Sequence, residues 1–412
     1  MSPRRTRLLA VPLAGLTATV LLAGCADFPD SNPREWREKP ELEAAGPQPR
    51  VPGDGPPGEP QPQPQQPAPS GPPGEPQGCV DPDPQVIATC LTSVTAIAVL
   101  PGGTSALVAE RGTGRVLRVE QGQDPVEIAV LPADPTAVDG GVTGLALSPS
   151  YAEDELIYAY VTTVSDNRVV RIAPGGDPPK PVLTGIPRGE TRNGGALAAD
   201  GRGALLVATG DAGDPAGAAE ASSLAGKVLR IDGFGAAAAD NPDPSSRVLA
   251  GGLQNPGGLC VDPAVGTSWV TDRTDQRDVL HRLDTGAPAG QPPGGQPGTG
   301  PWGGPGTVLD SPAWTWPDRP GVAGCVAVPG LVAVALTTGK ALFALRSGAD
   351  GTFTGKPETA VKDVYGRLHA AAVGPDGLLW IGTVNKAGGT PVSSDDRVIR
   401  IQPPTAGGGG ID

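Results

Sequence analysis

The chain has 412 residues, and glycine (62) with proline (50) fills more than a quarter of it without a Gly-X-Y period. That density of helix breakers excludes a mostly helical protein and collagen alike. Aromatics at 3% leave any core to Val, Leu, Ile and Ala, and a net charge of −13 argues against nucleic acid or an anionic membrane surface as partner.

The N-terminus reads as an address. Arg4, Arg5 and Arg7 precede an apolar run from Leu8 to Ala23, followed by Gly24 and Cys25. A basic head, an apolar middle and small residues at the exit are the parts of a secretory signal. The run reaches only about 24 Å as a helix, short of the hydrocarbon core. Leu22-Ala23-Gly24-Cys25 resembles a bacterial lipobox, which implies that residues 1–24 are removed and Cys25 carries a diacylglycerol. The expected location is the extracytoplasmic face of the cell membrane, with the lipid as anchor.

Residues 25–78 predict a disordered tether. Thirteen prolines and seven glycines fall within residues 46–78, and Gly-Pro-Pro-Gly-Glu-Pro-Gln occurs twice, at Gly55–Gln61 and Gly71–Gln77. Such a stretch cannot bury a core and favours extended polyproline geometry, with a reach on the order of 100 Å. Past Cys25, four cysteines remain: Cys79, Cys90, Cys260 and Cys325. Outside the cytoplasm that even count predicts two disulfides. Of three connectivities, Cys79–Cys90 with Cys260–Cys325 is the simplest, because the first pair encloses a short Asp/Pro-rich loop.

From Cys79 the chain repeats itself. An apolar strand, a Pro/Asp/Gly turn and a second apolar strand start near Ala96, Gly144, Gly195, Gly258, Gly324 and Ala371. A third strand follows at Arg115, Arg168, Lys227, Val279, Lys340 and Arg397, with apolar residues on one face and Arg or Lys on the other. That alternation predicts half-covered strands. Cys260 and Cys325 fall at near-equivalent points of adjacent copies. Spacings of 47–66 residues with three or four strands are the period of a propeller blade. The expected fold is all-β, a six-bladed β-propeller over residues 79–403 with a flexible Gly-rich tail at 404–412.

Gly144–Asp154, Leu206–Asp211, Leu224–Asp232 and Asn255–Leu259 resemble the soluble glucose/sorbosone and aldose sugar dehydrogenases that depend on pyrroloquinoline quinone (PQQ). The resemblance covers roughly residues 92–402, and the lipobox and tether resemble actinobacterial lipoproteins of that family. It implies a ligand at one end of the axial channel, a histidine base, PQQ and Ca²⁺. The family's His-x-Gly-Gly-x-Leu reads Arg192-Asn193-Gly194-Gly195-Ala196-Leu197 here, and a guanidinium cannot accept a proton. Before Asn255-Pro256 the cofactor arginine is Gln254, a cofactor lysine corresponds to Thr337 with Lys340 nearby, and Arg-x-Arg becomes Arg367-Leu368-His369. The Gly-Pro that holds Ca²⁺ is missing from Thr271–Thr274.

These substitutions lead to the expectation of a binding module for a small molecule, sugar or envelope protein, with Arg192 suiting an anionic ligand. The alternative is a divergent PQQ-dependent aldose sugar dehydrogenase, with His369 as substitute base rather than a polar channel lining. His281, on an alternating strand, is expected to face solvent. Asp211, Asp214, Asp272, Asp275 and Asp278 offer carboxylates for Ca²⁺ but lack EF-hand spacing, so solvated turns are the competing reading. Trp302, Trp314 and Trp316 are either sugar-stacking platforms or plugs of the core.

Overall fold

A computed structural model describes residues 76–283, 307–348 and 350–404. Cys25, residues 1–75, Trp302 and residues 405–412 lie outside the described residues, so the signal, lipidation, most of the tether and the tail stay expectations. The strands, numbered β1–β24 in chain order, form six four-stranded antiparallel sheets, the blades of a propeller.

The innermost strands are β2 (Val94–Val99), β6 (Val142–Leu147), β10 (Gly195–Ala199), β14 (Pro256–Val261), β18 (Val322–Val328) and β22 (Leu368–Val373). Every repeat start lies on one of them. The third strands are β4 (Arg115–Glu120), β8 (Asn167–Ile172), β12 (Lys227–Ile231), β16 (Asp278–Leu283), β20 (Ala341–Ser347) and β24 (Val398–Ile401). Five blades are built from consecutive strands. The sixth borrows its outer strand from the front of the domain: β1 (Val86–Ala88) pairs with β24, Val86 opposite Ile399. This closes the ring by joining both ends of the domain in one sheet.

Apolar packing lies between blades. Six clusters are buried, one at each interface of neighbouring blades; Leu107, Ala109 and Val116 of the first blade meet Leu145, Ala159 and Val161 of the second. Small residues bring the inner strands together at the axis. A Cβ at Gly258 would sit 2.5 Å from the Ala323 carbonyl oxygen, and one at Gly324 would sit 2.6 Å from the Ala371 nitrogen. The glycines of the repeat are therefore required by close backbone approach.

The expectation of half-covered third strands holds for β4 and β8 and is corrected for β12 and for His281 on β16. The basic face stays partly open on β4, where Arg118 is exposed, and on β8, but on β12 neighbouring elements bury both faces. Arg230 on β12 is 0% exposed, and its charge is met by Asp200 at 2.6 Å and Asp240 at 2.5 Å. His281 on β16 does not face solvent. It is 5% exposed, lies opposite Val270 and is flanked by β17 (Trp314–Trp316), the fourth strand of its sheet. Burial, with Arg277 nearby, pushes its pKa down to about 4. Trp314 and Trp316 plug the core. Their rings lie 5.9 and 5.2 Å from Phe343, beside Phe353 and Trp269.

Both predicted disulfides are present, Cys79–Cys90 and Cys260–Cys325. The second staples β14 to β18 across a blade interface. Among the described residues no helix is long and apolar enough to cross a membrane.

Candidate functional site at the polar mouth of the axial channel

The channel has two unlike ends. Where the inner strands finish, a cavity of about 480 Å³ is lined largely by apolar residues such as Ile97, Leu145 and Val326. At the waist, small residues including Gly144, Ala196, Gly258 and Gly324 leave about 40 Å³. Where the inner strands begin, a cavity of about 560 Å³ has only charged, hydroxyl, amide and glycine residues in its lining.

One backbone feature recurs at this polar mouth. Asp139, Arg192 and Arg319 each lie three residues before an inner strand, in β6, β10 and β18, with φ of 59°, 55° and 50°. The left-handed conformation costs a non-glycine residue on the order of 1 kcal/mol, and such strain gathers at functional sites. All three residues line the mouth. Sequence reasoning singled out Arg192 and missed Asp139 and Arg319. Their common offset from the repeat was the available signal.

Arg192 stands between carboxylates. Its Nη1 donates to Asp211 Oδ2 at 2.9 Å, its Nη2 to Asp275 Oδ1 at 2.5 Å, and its backbone N–H to Asp139 Oδ2 at 3.3 Å. Burial works against its charge, but the hydrogen bonds it donates to Asp275 and Asp211 hold the pKa above the ordinary arginine value. Its charge, expected to be open to an anionic ligand, is already engaged.

The other sequence candidates are dispersed. Asn255 and Thr337 line the same mouth; Thr337 donates to the Gly321 carbonyl at 2.9 Å, and Asn255 Oδ1 is buried with no hydrogen-bond partner among the described residues. Asn193 is 0% exposed and spends its amide on Val138 and Gly189, so it fastens the loop. Gln254 accepts from the Asp275 backbone N–H and lines a neighbouring cavity with Asp211. Lys340 is exposed and absent from the mouth's lining.

Arg367 and His369 lie beside the axis at the start of β22. Burial first, then Arg273 and Arg111, push the His369 pKa down to about 3. A neutral imidazole with that little proton affinity is a weak base at neutral pH.

The aspartates do separate jobs. Asp214 caps a short helix (Pro215–Ala219) by accepting from Gly217 N–H. Asp272 is 0% exposed and accepts from the backbone N–H groups of Gln254 and Asn255; its pKa is pushed up to about 6 by burial. Asp278 accepts from Gly321 and Val322. Among the described residues no three His, Cys, Asp or Glu side chains converge on a metal position.

Comparison with known proteins agrees with this fold. The family profile described as Glucose / Sorbosone dehydrogenase matches residues 91–391. The PQQ-bound form of aldose sugar dehydrogenase from Streptomyces coelicolor is 30% identical, with a TM-score of 0.66 over 77% of this chain and 96% of that one. An oxidoreductase of Thermus thermophilus, described as a glucose dehydrogenase, is also 30% identical, with a TM-score of 0.65 over 77% of this chain and 98% of that one. The aldose sugar dehydrogenase YliI of Escherichia coli is 27% identical over 150 residues, 32% of this chain and 40% of that protein's length. The chain belongs to the glucose/sorbosone dehydrogenase family.

Proposed function

We propose that this protein is a lipid-anchored, extracytoplasmic propeller whose polar mouth binds a small molecule, sugar or envelope protein without oxidising aldoses. The observation that carries this reading is the Arg192 lock. At the position matching the family's base, a protonated guanidinium is held by Asp211 and Asp275. It has no lone pair to take the hydroxyl proton, and the ion pairs fill part of the mouth.

The residues present do not fit PQQ. A flat quinone needs an apolar face to stack against, but no aromatic or aliphatic side chain is among the mouth's described lining, and the arginine at the base position is already held by carboxylates. The Asp272 carboxylate is spent on the backbone N–H groups of Gln254 and Asn255. A second reading, a divergent PQQ-dependent aldose sugar dehydrogenase, is supported by the Streptomyces relative and by His369 Nδ1, which is buried without a hydrogen-bond partner among the described residues. The low proton affinity of that imidazole works against it as a base.

The test is dye-coupled oxidation of an aldose panel by the full-length protein with PQQ and Ca²⁺. No turnover above the protein-free control is expected; PQQ-dependent turnover overturns the binding reading, and its loss in His369→Ala then identifies the base. Anchoring is tested separately: Cys25→Ala should abolish lipid labelling and release the protein from membranes. A processed variant that stays firmly bound would reveal another attachment.

A further inference from the structure

The mouth holds two arginines whose charge is not consumed as that of Arg192 is. Among the described residues Arg273 has one carboxylate within ion-pair distance, Asp139 Oδ1 at 3.7 Å, too long for a direct hydrogen bond. Asp139 also acts on Arg111, so one carboxylate serves two guanidiniums. Arg319 has no carboxylate within ion-pair distance among the described residues; it is exposed, lines the cavity and is held in left-handed backbone at φ 50°. Stored strain that aims an unpaired cation into a cavity serves no packing end.

Opposite these cations stand acceptors and hydroxyls. Asp139 and Asp275 line the cavity, the latter with its side chain 63% exposed, and Thr338 on the fifth blade adds an exposed hydroxyl. Carboxylates placed this way accept from ligand hydroxyls, whereas guanidiniums favour carboxylate or phosphate. A cavity of about 560 Å³ lies within the usual range for small-molecule sites. Burial is the main cause of the low proton affinity of His369, and Arg273, Arg111 and Arg367 add to it in the same direction, as cations near this end of the axis would.

We propose that the polar mouth binds a polyhydroxylated small molecule bearing one oxyanion, with Arg319 and Arg273 on the oxyanion and Asp139 and Asp275 on the hydroxyls. This assignment rests on reading the mouth as a binding site rather than an oxidising one.

Isothermal titration of the full-length protein in detergent at low salt, with glucose 6-phosphate, glucuronate and glucose, tests it. At least one anionic sugar should bind about tenfold or more tighter than glucose, and its identity decides between phosphate and carboxylate. Arg319→Gln and Arg273→Gln should each weaken that binding at least about tenfold, while Arg346→Gln, a distant ion pair with Glu358 on the fifth blade, leaves it unchanged. Arg319 is exposed, so its variant should keep the wild-type melting temperature, and a loss of binding there is not a loss of fold. Equal binding of all three sugars, binding of neither anionic one, or full affinity in Arg319→Gln overturns the proposal. Aldose turnover with PQQ would overturn the non-oxidising reading without altering the contrast between charged and neutral sugars, so the two failures are distinguishable.

Discussion

Arg192 Nη1 lies 2.9 Å from Asp211 Oδ2, and the two are unlike in exposure: the Asp211 side chain is 2% exposed, that of Arg192 21%. Asp211 is thus the buried half of the lock, and it also accepts from the Gly213 N–H. Asp275, on the other side of the guanidinium, has a side chain 63% exposed. Removing a buried partner strands a charge, whereas an exposed one is replaced by water. Asp211→Asn should therefore cost about 2 kcal/mol in chemical denaturation and Asp275→Asn less than about 0.5 kcal/mol. Equal costs would show that burial of the partner does not set the lock's contribution.

The first residue of a third strand latches the next blade. Asp278 Oδ2 accepts from Gly321 N at 2.6 Å and Val322 N at 3.0 Å, at the start of β18, and the residue is 1% exposed. Asp278→Ala leaves one buried and one part-buried donor without their partner and should destabilise by about 1–3 kcal/mol. Asp278→Asn keeps a carbonyl oxygen for both donors and should cost about half as much or less. If the two variants melt alike, the latch is not the source of the effect.

His281 gives a pH dependence of known sign. Its folded pKa, about 4, lies below the ordinary value of 6.5, so between those values the unfolded state binds more protons. Stability from this residue is present above pH 6.5 and is lost as pH falls toward 4, by up to about 1.4 kcal/mol per pH unit. Asp272, raised to about 6, acts in the opposite direction over part of that window. The contribution is isolated by comparison with His281→Gln: acidification from pH 6.5 to 4 should narrow the stability gap between wild type and variant. A gap independent of pH would refute the buried neutral imidazole.

The two disulfides close loops of different length, 11 and 65 residues of sequence separation. By loop-closure entropy the longer bridge contributes about 4 kcal/mol and the shorter about 3 kcal/mol. Replacing Cys260 and Cys325 together by Ser should thus lower the melting temperature more than replacing Cys79 and Cys90. Burial adds to the difference, since Cys260 and Cys325 are 5% and 4% exposed. The reverse order would mean that stapling the entrance of the domain outweighs stapling two inner strands.

Much of the architecture was legible in the sequence because it is written in short-range signals. Alternation of period two marks the strands, Pro/Asp/Gly turns mark their ends, and six repeats leave only a ring in which each blade covers its neighbour. Parity and spacing of the cysteines led to both disulfides. What alternation could not convey is how much of each strand is covered. Arg230 and His281 looked solvent-facing along the strand, yet neighbouring blades bury both faces, so their polar groups are interior.

The site was decided by the tertiary structure. Arg192 meets Asp211, Asp275 and Asp139 across sequence separations of 19, 83 and 53 residues; the first contact closes within its own blade, and the other two bring in segments that lead from or into different blades. The sequence by itself determined the propeller and the substitution of the family's base by arginine, since both are local facts. Whether that arginine's charge is open or consumed, and that Arg273 and Arg319 instead face the cavity, depends on turns from different blades meeting at one mouth. Electrostatic pairing reads distance in space, and no periodicity along the chain encodes it.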